Sequence, residues 1–299
     1  MNEKGGFRSG YVALIGRPNV GKSTLMNRML GEKLSIVTDK PQTTRNRILG
    51  IKTTDTFQIL FLDTPGIHRS KHRFNEIMLK TSLSTLEDAD LILFLVDALQ
   101  TMGQGERFII DKLHDVITPN ILIINKIDRT RKQRLLPLID EYKKRMDFQE
   151  ILPISALTGD GVAALEDLIP SFLPEGPPYF PEDSLTDLSQ RFMIAEMIRE
   201  KVIQRTQKEI PHVVAVKVEA VKKREGEELI DVDALIYTEK DSQKGILIGR
   251  GGQMLKEIGM AARLEIEEFL RSKVYLRLWV KVRKDWRSQL RMLKELGFE

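Results

Sequence analysis

Residues 11–30 read YVALIGRPNVGKSTLMNRML, and the stretch from Gly16 to Ser23 decides the fold. An apolar run enters a loop bounded by Gly16 and Gly21, and a segment with helical spacing leaves it. This is the strand-loop-helix context in which a G-x4-G-K-[ST] pattern holds phosphate. The glycines let backbone N–H groups turn inward, the helix N-terminus adds partial positive charge, and Lys22 is placed to neutralise β and γ phosphates. Ser23 is the expected Mg2+ ligand, and Asn19, Val20 and Thr24 complete the expected phosphate-binding set.

Working outward, further apolar runs follow at FQILFLD (57–63), LILFLVD (91–97), NILIINK (120–126) and EILPIS (150–155). Longer stretches with helical spacing, such as Phe74 to Leu86, separate them, which is the pattern of a doubly wound, mostly parallel α/β sheet. Pro174, Pro177, Pro178 and Pro181 then crowd PEGPPYFPED, residues 174–183. Proline excludes helix interior and favours an extended connector. We therefore expect a nucleotide domain over 1–175, a proline-rich linker over 176–188 and a second domain over 189–299. A length of 299 residues suits two cores better than one.

Three later motifs fall at strand ends, where open α/β sheets place their ligands. DTPG, residues 63–66, puts Asp63 in position to act on Mg2+ through bound water, and Gly66 can offer its N–H to a γ-phosphate; Thr64 and Pro65 complete this second switch. NKID, residues 125–128, reads as a guanine site. The Asp128 carboxylate can accept from the N1–H and exocyclic amine of guanine, a donor pair adenine lacks. Asn125 can tie the base to the loop, and the Lys126 stem can cover it. ISA, residues 154–156, adds Ser155 and an Ala156 N–H that can meet the guanine oxygen.

In this order the four motifs resemble those of translation-factor-class small GTPases. That resemblance implies GTP and GDP as ligands and a first-switch threonine that completes Mg2+ coordination. The first switch reads Gln42, Thr43, Thr44, Arg45, Asn46, and the family's Thr-Arg order favours Thr44 over Thr43. Ile67 stands where Ras-like enzymes carry a water-orienting glutamine, and an alkyl group cannot hold water. Nearby His68, Arg69 and His72 are not assigned as a base. Asn19 resembles the asparagine with which some bacterial GTPases recruit K+.

After residue 190 the chain holds 23 basic and 18 acidic residues, a net of +5; before it the counts are 24 and 25. The overall +4 is thus carried by the second domain. Its pattern reads α-β-β-α-α-β, with strands at 213–224, 229–239 and 273–282. Gly249, Arg250, Gly251 and Gly252 fall between the apolar run GILI and the helical QMLKEIGMAARLEIEEFL, and are expected to join the middle strand to that helix. A G-x-x-G loop opening a helix lets a single-stranded nucleic-acid backbone approach closely, and the arrangement resembles a type II KH domain. Lys256 lies in that helix. In KVYLRLWVKVR, alternation sets Lys273, Tyr275, Arg277, Trp279, Lys281 and Arg283 on one face and aliphatics on the other. Tyr275 and Trp279 could stack on bases, with Trp286 a further candidate.

The whole order, GTPase motifs, proline-rich segment and KH pattern, resembles the Era family of bacterial ribosome-assembly GTPases. The resemblance implies binding to the 3′ region of 16S ribosomal RNA, a role in 30S subunit maturation and peripheral association with the inner face of the cell membrane; a monomer is expected. A rival reading is a constitutive RNA-binding protein with a structural nucleotide domain. The chain has no cysteine, so thiolate metal sites and disulfides are excluded. Its apolar runs are too short to span a bilayer, and MNEKGGFRSG lacks the apolar core of a secretory signal, so a cytoplasmic protein is expected.

Overall fold

The structure is a computed structural model that describes residues 6–40, 42–67 and 73–298. His68, Arg69 and His72 lie outside the described residues. Two compact units divide the chain, the first running to Asp187 and the second from Leu188, with Thr38–Lys40 and Phe74 grouped with the second.

The first unit is built on strands β1 (Arg8–Gly16), β2 (Ile48–Thr53), β3 (Phe57–Asp63), β4 (Leu91–Asp97), β5 (Asn120–Asn125) and β6 (Glu150–Pro153). The sheet order is β2-β3-β1-β4-β5-β6, with only β2 antiparallel to its neighbour. Every residue of β4 and β5 is buried, as strands covered on both faces must be. Helices α1 (Lys22–Leu30), α2 (Arg73–Asp88), α3 (Gln104–Leu113), α4 (Leu135–Lys143) and α5 (Val162–Leu168) complete the unit. The sequence reading missed β2, whose short alternation is masked by the polar turn TTDT; Thr54 closes that turn by accepting from Phe57 N–H at 3.1 Å.

The proline-rich segment is extended, but it is not a free spacer. Buried Gln58 donates to Phe180 O at 2.8 Å and accepts from the N–H groups of Tyr179 and Phe180 at 2.7 and 3.0 Å. Ile51 N–H donates to Leu185 O at 2.9 Å, and Thr186 Oγ1 to Leu49 O at 2.6 Å. The open edge of β2 supplies unpaired backbone groups, and this segment satisfies them.

The second unit comprises α6 (Gln190–Arg205), α7 (Ile210–Val213), β7 (Ala215–Lys223), β8 (Leu229–Thr238), α8 (Asp241–Ile248), α9 (Gln253–Leu270), β9 (Lys273–Val282) and α10 (Leu290–Glu295). Its sheet order is β7-β8-β9, with β7 antiparallel and β9 parallel to β8. Ile258, Ala262 and Ile266 recur every fourth residue on α9 and are fully buried. The expected α-β-β-α-α-β order is present with short α7 and α10 in addition, and the glycine loop joins two helices, α8 and α9, where it was expected to follow the middle strand. Gln243 Oε1 accepts from Glu239 and Lys240 N–H at 3.0 Å each, and this capping starts a helix that the isoleucines alone would not favour.

Candidate nucleotide site and nucleic-acid surfaces

β1 delivers the loop at its C-terminal end, and α1 starts at Lys22. Gly21 sits at φ 103°, and a Cβ there would lie 2.2 Å from Asn125 Nδ2, so a side chain would prise the loop from the NKID turn. Lys22 is 6% exposed, and its Nζ donates to the carbonyls of Gly16 at 3.2 Å and Arg17 at 3.1 Å. Burial pushes its pKa down to about 8, against the pull of Asp63. A buried ammonium held by two carbonyl oxygens is a ready partner for phosphate. Val20 is buried and Thr24 half-buried beside it.

Asp63 is fully buried at the end of β3. Its Oδ2 accepts from Ser23 Oγ at 2.6 Å, Ser35 Oγ at 2.7 Å and Thr44 Oγ1 at 3.3 Å, while the Ser23 and Thr44 hydroxyls stand 2.9 Å apart. Burial raises the Asp63 carboxyl pKa; Lys22 and then the three hydroxyl donors oppose the rise. Asp63 Oδ1 is buried with no hydrogen-bond partner. Two converging hydroxyls beside an orphaned carboxylate oxygen form an all-oxygen set that fits a hard cation such as Mg2+. Of the adjacent threonines, Thr44 supplies the hydroxyl that meets Ser23 and Asp63; Thr43 and Arg45 are also buried, and Asn46 is half-buried. Gln42, at φ 63°, donates to Asn75 Oδ1 at 3.2 Å.

The DTPG turn is tied down on both sides. Thr64 Oγ1 donates to Leu14 O and Ser82 Oγ to Pro65 O, each at 2.8 Å, and Gly66 lies directly against Pro18. Ile67 N–H donates to Gly16 O at 3.1 Å, and its side chain is buried in the core cluster with Ile15 and Phe94.

The NKID and ISA turns meet the loop through a closed set of bonds. Asn125 Nδ2 donates to Val20 O at 2.8 Å, and Lys126 Nζ reaches Asn19 O and Asp97 Oδ2, each at 2.7 Å. Ser155 Oγ donates to Asp128 Oδ1 at 2.6 Å, which fixes the carboxylate while its other oxygen remains for a ligand. The Ala156 N–H donates to Asn125 Oδ1 at 2.9 Å, which ties the ISA turn to the NKID turn. Asp97 was readable in principle, since it ends the β4 run as Asp63 ends β3. Ser35 was not; it is brought in by Asn27, whose Oδ1 accepts from the N–H groups of Leu34 and Ser35 at 3.0 and 2.9 Å.

In the second unit Gly249, Gly251 and Gly252 all have positive φ, and Arg250 is exposed between them. A Cβ on Gly249 would lie 2.7 Å from that of Met254, so the loop needs glycine to turn into α9. Lys256 is exposed in the first turn of that helix. Strand β9 alternates as expected: Tyr275 and Trp279 are 50% and 46% exposed, and Arg277, Lys281 and Arg283 stand in solvent. Gly259 of α9 lies near Leu278, on the opposite face of β9. The layer carrying the glycine loop and the aromatic face therefore occupy opposite sides of the sheet. Arg277 is gripped by Asp233 through bonds of 2.5 and 2.9 Å, and its Cζ lies 5.8 Å from the Tyr275 ring centroid and 6.0 Å from that of Trp279. Trp286 does not join this face: it is fully buried, donates from Nε1 to Val213 O at 2.8 Å and stacks on Phe298.

Among the described residues no helix is long and apolar enough to cross a membrane. A family model described as 50S ribosome-binding GTPase matches residues 11–126, and one described as KH domain matches 209–287. The chain is 52% identical to GTPase Era of Alkaliphilus oremlandii, covering 98% of this chain and 99% of the relative, and 55% identical to GTPase Era of Geobacter metallireducens, covering 98% of each. It is similar, at 42% identity and a TM-score of 0.95 over 98% of this chain and 99% of the other, to a crystal structure of Era in complex with MgGDPNP and nucleotides 1506–1542 of 16S ribosomal RNA. A variant of Aquifex aeolicus Era bound to GDP and aluminium fluoride matches with a TM-score of 0.94, also at 42% identity and with the same shares covered. By sequence over nearly its full length, the chain belongs to the Era family of GTPases.

Proposed function

We propose that the chain is a GTP-driven switch that binds the 3′ region of 16S ribosomal RNA through its KH domain and acts in assembly of the 30S subunit. The observation that carries the reading is the meeting of Ser23, Thr44 and Asp63 beside the buried Lys22. Residues from the phosphate loop and from both switches share one point, so loss of a γ-phosphate there would release Thr44 and its neighbours. Ser23 and Thr44 would hold Mg2+ directly and Asp63 through water; the bound cation screens phosphate charge. Asn125, Lys126, Asp128, Ser155 and Ala156 would select guanine. With Ile67 in the core, water would be oriented by backbone groups, a partner, or K+ held at Asn19, and faster turnover in K+ than in Na+ is the mark of the last.

The RNA reading is supported by the Gly249–Gly252 loop with its exposed Arg250 and nearby Lys256, by the aromatic and basic face of β9, and by the related Era bound to a 16S fragment. The same reading has the protein work as a monomer in the cytoplasm, with peripheral contact at the inner membrane.

Single-turnover GTP hydrolysis, paired with 16S RNA affinity in the GTP and GDP forms at fixed salt, tests the switch. Hydrolysis with unequal affinities is expected, and equal affinities would sink the coupling. Lys22→Ala should lower GTP affinity by about 100-fold or more, since a charge-assisted phosphate contact is lost.

A further inference from the structure

The loop that follows Asp128 reads RTRKQR over residues 129–134, with four cations and no acid, inside a domain whose overall charge is nearly balanced. Its backbone is fixed. Arg129 and Thr130 N–H groups donate to Lys126 O and Ile127 O at 3.1 and 3.2 Å, and Arg134 N–H to Arg131 O at 2.9 Å. Two short 3-10 turns, Ile127–Arg129 and Lys132–Arg134, lead into α4, whose first turn carries no acid and no side-chain cap.

Arg129, Thr130, Arg131 and Arg134 line a recess of about 380 Å3. Among the described residues no carboxylate pairs with Arg129, Arg131, Lys132 or Arg134, whereas Arg224, Arg277 and Arg287 in the second unit are each paired with at least one. Thr130 Oγ1 lies buried with no hydrogen-bond partner. Guanidinium groups gathered around one recess repel. A phosphate group in the recess relieves the repulsion, since it brings negative charge and acceptor oxygens that match the guanidinium fork.

We propose that this recess is a second phosphate-binding site, separate from the Gly16–Ser23 loop, and that it takes backbone phosphates of RNA. No aromatic residue lines it, so it has no platform for a base, and its cations are strung along the chain as phosphates are along a strand. The proposal rests on the reading of the protein as an RNA binder.

The test compares the full chain with an R131A/R134A double variant and, separately, with Arg250→Glu in the glycine loop. A 16S ribosomal RNA transcript is the probe across a salt series, and GTP affinity is measured in parallel. The double variant should bind the transcript about 10-fold more weakly, with a slope of log affinity against log salt shallower by roughly 1–2 and GTP binding unchanged. Unchanged RNA affinity and slope in the double variant, while Arg250→Glu weakens binding, would overturn this site and leave the KH reading standing. Unchanged binding in both variants would overturn the two together. A fall in GTP affinity in the double variant would assign the arginines to the nucleotide site and also overturn the proposal.

Discussion

Lys22 in the first unit and Lys256 in the second carry the same charge in opposite surroundings. Lys22 is buried under the phosphate loop and fixed by two carbonyls, while Lys256 stands in solvent on the first turn of α9. The contrast extends to their neighbours: Asp63, Asn125 and Ser155 are buried and bonded to protein, whereas Arg250, Tyr275, Trp279 and Lys281 are exposed. A small ligand must be told from close analogues, which requires desolvated groups already in place. A polymer is gripped by many weak contacts that leave water only when it arrives.

The two tryptophans offer the sharpest way to break this contrast, because both belong to the second unit. Trp286 is core, so Trp286→Ala should cost about 3–5 kcal/mol of that unit's stability in denaturant unfolding. A loss below about 1 kcal/mol would place it with the exposed residues after all. Next in size is Asp128→Asn, which exchanges an acceptor pair for an amide. GTP affinity should fall about 100-fold, or close to 3 kcal/mol, with a gain for xanthosine triphosphate, read by calorimetry with both nucleotides. Retained guanine preference would show that selection lies elsewhere in the NKID and ISA turns.

The first unit was far more legible from sequence than the second, and the same physics explains why. Phosphate and guanine chemistry ties Gly16, Lys22, Asp63 and Asp128 to fixed spacings beside strands, so pattern and place agree. Ser35 has no such signature, since only Asn27 folds it back to Asp63. In the second unit the strand alternation of β9 gave the exposed face, but the glycine loop was expected to follow the middle strand, and α8 intervenes because the Gln243 cap starts a helix there. Trp286 shows the limit most plainly: flanked by Asp285 and Arg287, it reads as surface, and only packing against Phe298 and the bond to Val213 O make it core.

Trp279 is the smaller and finer test. Its ring is 46% exposed beside Arg277, whose charge Asp233 already neutralises. If the face stacks bases, Trp279→Ala should weaken RNA binding about 10-fold, roughly 1–2 kcal/mol, with Trp279→Phe keeping most of the affinity. Stacking releases few counterions, so the salt slope should scarcely move, unlike the change expected when cations at 131 and 134 are removed. Stability should shift by less than about 1 kcal/mol because the ring covers little core. Unchanged RNA affinity in Trp279→Ala would mean that the side of the sheet away from α9 only meets solvent. Recognition would then rest on the glycine loop and Lys256, where the absence of side chains, not their stacking, lets a strand come close.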